Sequence, residues 1–402
     1  MAVVSDLDFR GRGVVREDGR VVFVAGALPG EEVRFRVTQA KKRFAEGVVT
    51  EVLAASPERV VPPCAYAAQC GGCDVQHLAV AAQRRWKERL WQSQLSRLGG
   101  GAAAQTWPLL AGDAWHYRRR ARLAVQDGQI GFRVRGGHEV VDIARCLVLD
   151  ERLNALLPAL RGVRGATDIT LDAGEEALAV GLHGQVDSQT AARLAQATGA
   201  GVWVNGQAVV AAPLSYRLPD FAVEIAYAPA HFTQANQLLN RALVAQAMRL
   251  LAPRPGERIA DFFAGLGNFS LPMARLGAEV VAFEGEAAMV RAAQALADAH
   301  GLPMTAKRAD LFAMTEKSLK ALGHFDAWLL DPPRAGAQAL VSAIGKRGAP
   351  ARLLYVSCDP ATLSRDSAIL RDKGYRLASG GVIDMFAHTA HVESMALFVH
   401  EE

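Results

Sequence analysis

The chain has 402 residues, of which 50% are hydrophobic and 21% charged, and its formal net charge is +4. This length predicts two or three compact domains, and no uninterrupted apolar run is long enough to cross a bilayer, which excludes a membrane-spanning protein. The N-terminal stretch MAVVSDLDFRGRG has no apolar segment of signal-peptide length, so we expect a soluble, cytoplasmic protein whose five cysteines serve metal binding or catalysis rather than disulfides.

The N-terminal region is predicted to form a small β-barrel. From residue 6 to 54, short β-rich segments alternate with Gly, Pro and Asp turns. Pro62 and Pro63 then predict an extended linker, because proline cannot continue a regular element. Residues 79 to 98 are rich in helix formers and precede three glycines, which predicts a helix that stops there.

Three short stretches set Lys or Arg beside aromatic residues: KKRF at 41 to 44, RRWKERLW at 84 to 91 and WHYRRRAR at 115 to 122. This mixture can follow a phosphate backbone while offering aromatic faces for base stacking. A solvated face of a helix or strand would explain any one of them as well. Because three occur in the first 122 residues, we predict that this part of the chain binds nucleic acid.

Four of the five cysteines suggest a metal site. The stretch CAYAAQCGGC brings Cys64, Cys70 and Cys73 together, and Cys146 lies further along the chain. Four thiolates suit either a tetrahedral zinc ion or a [4Fe-4S] cluster, and the spacing by itself does not distinguish the two. Strand-like and helix-like segments mix from about 115 to 225, so we expect an α+β central domain around this site.

After residue 230, strand-like and helix-like segments alternate regularly to residue 357. This alternation predicts an α/β domain with a mostly parallel, Rossmann-like sheet and helices on both faces. Ligands of such sheets bind beyond the carboxyl ends of the strands. The stretch DFFAGLGNFS, residues 261 to 270, places Gly265 in a turn directly after a strand, where the backbone can approach a ligand closely.

Acidic residues end four successive predicted strands: Asp261, Glu284, Asp310 and Asp331. One such residue is usually a cap or turn residue, whereas four indicate a nucleoside site. Glu284 in particular can accept hydrogen bonds from both hydroxyls of a ribose. The chain has no GxxxxGK[ST] motif, which excludes a P-loop, and among nucleoside cofactors S-adenosylmethionine fits this arrangement best.

Six motifs follow one another in this half of the chain: HFTQAN, DFFAGLGNF, FEGE, DPPRAG, YVSCDPATLSRD and DMFAHTAHVE. Together they resemble the S-adenosylmethionine-dependent RNA uracil-5 methyltransferases over residues 64 to 402. The N-terminal barrel resembles the TRAM domain that precedes many members of that family. Two departures are visible, because Asp359 stands where the family usually has Asn, and Ala387 where it usually has Pro.

The resemblance implies a role for each matching residue. Cys358 would be the nucleophile and Glu393 the base. The cofactor would be held by Gly265 in the glycine turn, by Asp310 at the end of the third predicted strand, and by residues of the first four motifs: Gln234, Phe263, Asn268, Glu284 and Asp331.

The chemistry of uracil methylation explains the need for Cys358 and Glu393. Uracil C5 is too weak a nucleophile to attack a sulfonium methyl group until a thiolate has added at C6. A carboxylate must then remove the C5 proton so that the thiolate can leave. Because Pro360 starts a predicted helix after the strand that ends before Cys358, we expect a helix N-terminus to lower the pKa of the Cys358 thiol.

The same resemblance bears on the metal and the substrate. Three clustered cysteines plus one distant cysteine resemble the iron-sulfur members of the family, which implies a [4Fe-4S] cluster, with zinc as the alternative. A barrel together with a cluster resembles the members that act on 23S ribosomal RNA, whereas the bacterial members that act on tRNA generally lack both. We therefore expect a methyltransferase for C5 of a uridine in 23S ribosomal RNA.

Two other functions remain open: methylation of a tRNA uridine at C5, and RNA binding without catalysis by a methyltransferase-like fold. An amino-group methyltransferase fits less well, because it would not need Cys358 and DPPR carries Arg334 where an aromatic residue is usual. We expect three domains: a TRAM/OB-like barrel that binds RNA (1–58), a central domain with the four-cysteine iron-sulfur site (59–228) and the methyltransferase domain (229–402). Neither a membrane nor an obligate protein partner is implied.

Overall fold

The computed structural model describes residues 1–17, 19–97, 101–345 and 349–401. Its first unit is a six-stranded sheet in the order β1-β5-β6-β4-β3-β2, antiparallel except between β4 and β6. Alternate valines of these strands, including Val15, Val24 and Val33, are fully buried and form its core. The strands are β1 (Ala2–Val3), β2 (Asp6–Leu7), β3 (Gly13–Glu17), β4 (Arg20–Ala25), β5 (Glu32–Ala40) and β6 (Phe44–Ala54).

Helix α1 (Val80–Arg97) confirms the helix predicted over 79 to 98, although residues 98 to 100 lie outside the described part of the chain. The helix buries Trp86, Trp91 and Leu95. Trp86 packs against the first sheet at Leu7, whereas Trp91 and Leu95 belong to the core of the C-terminal sheet. This helix therefore joins the two ends of the chain. Strand β7 (Gln105–Thr106) follows it.

The second unit is a seven-stranded sheet in the order β10-β9-β8-β11-β12-β13-β14, in which only β12 and β13 pair in parallel. Its apolar core includes Leu123, Ile169 and Leu171, all fully buried. The strands are β8 (Arg120–Gln126), β9 (Gln129–Arg133), β10 (Val140–Asp142), β11 (Ala166–Ala173), β12 (Leu178–Gly184), β13 (Gly201–Val204) and β14 (Gln207–Val210). The helices are α2 (Glu151–Asn154), α3 (Leu157–Leu160) and α4 (Ser188–Thr198).

A hairpin of β15 (Leu214–Leu218) and β16 (Val223–Tyr227), joined by the 3-10 turn Pro219–Phe221, leads into the third unit. Its strands are β17 (Arg258–Phe262), β18 (Glu279–Glu284), β19 (Met304–Arg308), β20 (Ala327–Leu330), β21 (Arg352–Ser357), β22 (Tyr375–Ile383) and β23 (Glu393–His400). Its helices are α5 (Gln237–Leu251), α6 (Ser270–Arg275), α7 (Ala287–His300), α8 (Glu316–Ala321), α9 (Gln338–Ser342) and α10 (Pro360–Asp372).

The third sheet has the order β19-β18-β17-β20-β21-β23-β22-β7. Strands β17 to β21 pair in parallel, and β23 runs antiparallel between β21 and β22. All four residues of β20 are buried, as expected for a parallel strand covered on both faces. One face packs against α5, α6 and α7, and the other against α1, α8, α9 and α10. The predicted α/β architecture is confirmed.

Helix α1, strand β7 and the β15–β16 hairpin all contribute to the third unit's sheet or core. All three lie within the span 59–228 that was predicted for the central domain. The boundaries 1–58, 59–228 and 229–402 therefore stay predictions. Among the described residues, no helix is both long and apolar enough to cross a membrane.

Candidate functional site

The carboxyl ends of the parallel strands form one edge of the third sheet, where the predicted site residues lie. Strand β17 leads into the glycine turn, β18 ends at Glu284, β20 is followed by Asp331, and β21 is followed by Cys358. Because these strands are neighbours and run in the same direction, their ends come together. The motif segments that follow these strands therefore lie side by side along one edge of the sheet.

The glycine turn is fixed against strand β18. Phe263 has a left-handed backbone (φ +66°), which is unfavourable for an aromatic residue, and its N–H donates to the Phe283 carbonyl at 3.0 Å. The Gly265 N–H donates to Glu284 Oε2 at 3.1 Å. Gly267 also has a positive φ, +90°. Backbone N–H groups and a carboxylate are therefore held side by side at the predicted cofactor position.

Glu284 is anchored through its backbone neighbours as well. Its Oε1 accepts hydrogen bonds from the N–H groups of Gly285 at 2.7 Å and Glu286 at 3.0 Å. Each carboxylate oxygen has about two lone-pair positions, so Oε1 is fully used, whereas Oε2, which accepts only from the Gly265 N–H, keeps one position for a ligand hydroxyl. A pre-oriented carboxylate of this kind suits recognition of a ribose hydroxyl.

Asp310 is exposed and stabilises a turn, since its Oδ1 accepts from the N–H groups of Phe312 and Ala313. Phe312, which the sequence analysis missed, is 56% exposed, and its ring centroid lies 5.5 Å from that of Phe263. The only sequence signal was its place two residues after Asp310. The two rings offer an apolar surface to a flat base beside the carboxylates.

Asn268 is committed to bonds within the protein. Its amide forms a reciprocal pair with Asn240 at 2.9 and 3.0 Å, and its Oδ1 also accepts from the Tyr216 hydroxyl at 3.0 Å. These bonds tie the glycine turn to α5 and β15. Gln234 is partly buried in the segment before α5, where the Arg119 N–H donates to the Ala235 carbonyl at 2.7 Å.

The floor of the site gathers acidic side chains whose pKa values are raised. Asp261 is fully buried and accepts a hydrogen bond from Ser270, and burial raises the pKa of its carboxyl to about 8, with Asp331 and Glu284 adding to the shift. Burial also raises the pKa of Asp331 to about 7. Clustered carboxylates with raised pKa values favour a positively charged ligand, as a sulfonium would be.

Cys358 and Glu393 face each other because of strand register. In the antiparallel pair β21–β23, Ser357 is paired with Ser394, so the next position on each side sets Cys358 opposite Glu393. Both side chains are partly buried. Cys358 and Glu393 are far apart in the sequence, and this pairing brings them together at the carboxyl end of strand β21.

The expectation of a lowered pKa for the Cys358 thiol is wrong. Burial raises the pKa of its thiol to about 12, with Glu393 and Asp331 adding to the shift and Arg334 opposing it. The helix N-terminus does not compensate, because the Asp359 carboxylate already accepts from the N–H groups at the start of α10, Ala361 at 2.8 Å and Thr362 at 3.2 Å. A carboxylate placed there offsets the dipole that was expected to act on the thiol.

The two departures from the family pattern have structural explanations. Asp359 is the N-cap of α10, a position that Asn and Asp fill equally well, so the substitution keeps the start of the helix. Ala387 is buried and its carbonyl accepts from the Tyr117 hydroxyl at 3.0 Å. That bond restrains the loop from residue 384 to 392 without a proline ring.

Glu393 carries a raised pKa. Burial raises the pKa of its carboxyl to about 8, Asp331 adds to the shift, and Lys87 and Arg334 oppose it. Once ionised, such a carboxylate is a stronger base than an exposed one. Lys87 was not singled out as a site residue by the sequence analysis, because its proximity depends on helix α1 packing against the end of the chain.

Two of the three basic and aromatic stretches place part of their side chains inside the protein, and the expectation that these stretches bind nucleic acid stays a prediction. In RRWKERLW the side chains of Trp86, Lys87 and Trp91 are buried. In WHYRRRAR the Arg120 guanidinium donates to the carbonyls of Pro229 and His231 in the segment before Gln234. Aromatic residues beside cations in these stretches pack an interface between elements. In KKRF the three basic residues are exposed, as predicted.

One cavity is lined by the four cysteines Cys64, Cys70, Cys73 and Cys146. Gln76 and Arg118 also line it. Burial raises the pKa of the Cys70 and Cys146 thiols and raises that of Cys73 to about 12, and neighbouring cysteines add to each shift. The Gly72 N–H donates to Cys70 Sγ at 3.4 Å. Within the described ranges, no group of three or more His, Cys, Asp or Glu side chains is arranged to hold a single metal ion.

Comparison with known proteins agrees with this geometry. Residues 217–401 match the family model of tRNA (Uracil-5-)-methyltransferase, and residues 2–50 match the TRAM domain. The 23S rRNA (uracil(1939)-C(5))-methyltransferases RlmD of Dichelobacter nodosus and Aromatoleum aromaticum are 42% and 41% identical to this chain. The alignments cover 98% of this chain and 97% of the first relative, and 99% of both for the second.

Among solved structures, the Pyrococcus abyssi tRNA (uracil-54, C5)-methyltransferase, in complex with S-adenosyl-L-homocysteine, is similar with a TM-score of 0.77. It is 26% identical, and the match covers 99% of this chain and 100% of that one. The likeness therefore extends over all three units of the fold.

Proposed function

The chain belongs to the S-adenosylmethionine-dependent RNA (uracil-C5)-methyltransferase family, and on that premise we propose that it methylates C5 of the uridine equivalent to position 1939 in 23S ribosomal RNA. The substrate proposal is supported by the RlmD relatives, which are about 40% identical over nearly the full length of both chains. The tRNA methyltransferase from Pyrococcus abyssi shares the fold at lower identity, 26%.

The observation that carries the mechanism is the cross-strand register that sets Cys358 opposite Glu393. The Cys358 thiolate adds to uracil C6, and the electrons of the C5–C6 bond move so that C5 becomes nucleophilic. S-adenosylmethionine supplies an electrophilic methyl group, which C5 takes. Glu393 then accepts the C5 proton, the C5–C6 double bond re-forms, and the thiolate leaves.

The high pKa of the Cys358 thiol is a barrier that this mechanism must overcome. Burial, Glu393 and Asp331 raise it, and Arg334 is the cation that opposes them. A positively charged group bound over Asp331 would neutralise part of this effect. We therefore propose that binding of the sulfonium favours ionisation of the thiol.

We propose that the cofactor occupies the carboxyl edge of β17, β18 and β20. Glu284 Oε2 would accept from a ribose hydroxyl, since it is held beside the Gly265 N–H, and Phe263 with Phe312 would cover the base. Asn268 would act by holding the glycine turn, because its amide is already paired with Asn240. The remaining residues would complete the pocket: Gln234, Asp310 and Asp331.

Mapping 5-methyluridine in 23S ribosomal RNA and in tRNA, from cells with and without this protein, tests the substrate. We expect one 5-methyluridine to disappear from 23S ribosomal RNA and the tRNA signal to stay unchanged. Loss of the modification from tRNA alone would identify the tRNA alternative. Failure of the purified protein to bind S-adenosylmethionine would instead indicate an RNA-binding protein without activity.

The cysteine cavity is proposed to hold a [4Fe-4S] cluster through Cys64, Cys70, Cys73 and Cys146. Its four thiols line one cavity, and four thiolates are the ligands of one [4Fe-4S] cluster, with a zinc ion as the alternative. The raised pKa values of the thiols also fit, because buried thiolates need the positive charge of bound metal to be stable. Methyl transfer itself moves no electron, so the cluster would be structural or would serve RNA docking.

Protein purified without oxygen is expected to be brown, with about four iron and four sulfide per chain, because each of four thiolates would bind one iron. Cys70→Ser should lose both, as measured by iron and acid-labile sulfide assays. Cys358→Ala is the matched control, because it removes the fifth cysteine and should keep the full iron content. A colourless preparation with stoichiometric zinc would contradict the cluster.

The TRAM domain is proposed to bind RNA through the exposed turn at Lys41, Lys42 and Arg43, where the Lys41 ammonium lies over the Phe44 ring. Replacing all three basic residues with Gln should weaken RNA binding and lower the slope of log affinity against log salt by about 2, since each phosphate contact contributes roughly 0.7. Filter binding over a salt series measures both. Affinity for S-adenosylmethionine should stay unchanged.

Arg34→Gln is a suitable control on the same sheet, because the Arg34 guanidinium already pairs with Glu51 at 2.5 Å. It should change the salt slope much less than the triple substitution. An unchanged slope in the triple variant would show that RNA does not contact this turn.

A further inference from the structure

Helix α1 and the loop from residue 384 to 392 are joined by a buried ion pair. Lys87 and Asp384 are 0% and 1% exposed in their side chains, and Lys87 Nζ lies 2.7 Å from Asp384 Oδ1. Lys87 also donates to the Phe386 carbonyl at 2.8 Å. Arg84, one turn earlier on α1, pairs with the other Asp384 oxygen at 3.1 Å. One lysine thus contacts both a side chain and the backbone of the loop that leads to Glu393.

The same helix imposes an unfavourable backbone conformation further along this loop. Buried Gln83 accepts from the His388 N–H at 2.9 Å, and its Nε2 lies 3.1 Å from His388 Nδ1. His388 has a φ of +65°, in the left-handed region that few residues other than glycine adopt. Strain of this kind persists only where the surrounding contacts hold it, so α1 determines the path of the loop.

Folding alone does not require a lysine at position 87. Burial lowers the pKa of its ammonium, and only the carboxylates around it, led by Asp384, oppose that shift. Buried ion pairs of this kind are often no more stabilising than apolar residues of the same size. Because burying this positive charge costs free energy, we infer that Lys87 has a role other than stabilising the fold.

The charges around Glu393 indicate what the buried charge of Lys87 does. Burial and Asp331 raise the pKa of its carboxyl, whereas Lys87 and Arg334 lower it, and the Cys358 thiol lies opposite. Arg334 is exposed, so water screens its charge. Lys87 is buried, and although its ammonium pairs with Asp384 it still lowers the pKa of the Glu393 carboxyl.

We propose that Lys87 is a positioning residue for the methylation reaction, holding the loop from 384 to 392 against helix α1 and keeping a buried positive charge beside Glu393. This inference rests on the proposed role of Glu393 as the base. A carboxylate accepts the C5 proton only when it is ionised, and an unscreened cation nearby raises the ionised fraction at neutral pH. Lys87 itself neither gains nor loses a proton in the step.

The test measures how fast the methylated protein–RNA adduct resolves, as a function of pH, in a single turnover. The variant combines Lys87→Met with Asp384→Asn, so that no unpaired charge is left between α1 and the loop. We expect the acidic limb of the rate profile to move up by about one pH unit, and the rate at pH 7 to fall roughly tenfold. The methylated adduct should accumulate transiently on denaturing gels. Lys87→Arg keeps the charge and should leave the limb in place.

Arg352→Met is the matched control for lost stability. It breaks the partly buried ion pair between Arg352 and Glu257 at the far end of strand β21, the strand that leads to Cys358. It should lower the midpoint temperature of thermal unfolding and leave the acidic limb of the pH–rate profile at the same pH. If the Lys87→Met/Asp384→Asn variant is less stable but its rate profile has the acidic limb at the same pH as the unmutated enzyme, the proposal is wrong. If Glu393→Gln resolved its adduct at the normal rate, the assignment of the base would fail first, and the role of Lys87 with it.

Discussion

Replacing Cys358 with alanine is expected to abolish methylation and every covalent protein–RNA complex. In the proposed mechanism Cys358, which follows the Ser357–Ser394 pair, is the nucleophile, and without its bond to uracil C6 the C5 carbon stays too weak a nucleophile. The rate should fall by roughly 10⁴-fold or more, as is typical when an enzyme loses its nucleophile. Binding of RNA and of S-adenosylmethionine should persist, because the glycine turn and Glu284 do not depend on the thiol.

The measurement uses RNA with 5-fluorouridine at the target position. Fluorine cannot leave C5 as a cation, so the unmutated enzyme should complete methyl transfer and remain covalently attached to the RNA through denaturing electrophoresis. Cys358→Ala should give no such band. An equal band with Cys358→Ala, or none with the unmutated enzyme, would contradict the assignment of the nucleophile.

Replacing Glu393 with glutamine is expected to stop the reaction at a later step. The side chain keeps its size, but a neutral amide does not accept the C5 proton. Thiolate addition and methyl transfer should proceed, and the methylated adduct should then persist, because the thiolate cannot leave until the proton is gone. Turnover should fall by about 10²- to 10⁴-fold, the usual contribution of a general base.

Two labels distinguish this outcome from a loss of folding. Methyl-labelled S-adenosylmethionine and end-labelled RNA should both appear in the Glu393→Gln adduct on a denaturing gel, with ordinary uridine in the RNA. Adduct that carries RNA but no methyl group would place Glu393 before methyl transfer. Normal turnover would show that another group removes the proton.

Local sequence patterns predicted much of the fold because they reflect short-range preferences. Helix α1 matches its predicted range, and the strand-helix alternation after residue 230 forms the expected parallel sheet. The acidic residues stand at strand ends as predicted. The patterns did not reveal that Asp261 lies buried under the site, bonded to Ser270, or that Asn268 is paired with Asn240. These facts depend on which elements pack together.

Local patterns were enough to predict the residue types of the proposed chemistry: a cysteine after a strand, a carboxylate near the C-terminus, acidic strand ends and four cysteines. Their protonation and their partners depend on how distant segments pack together. Register between β21 and β23 set Cys358 opposite Glu393, and burial beside two carboxylates raised the thiol pKa that the sequence led us to expect low. The basic stretch around Lys87 resembles an exposed surface in the sequence, whereas in the fold Lys87 is buried against Asp384, on the loop that leads to Glu393. The reason is that backbone preference is a property of neighbours in sequence, whereas pKa and pairing depend on dielectric and charge from segments distant in the chain.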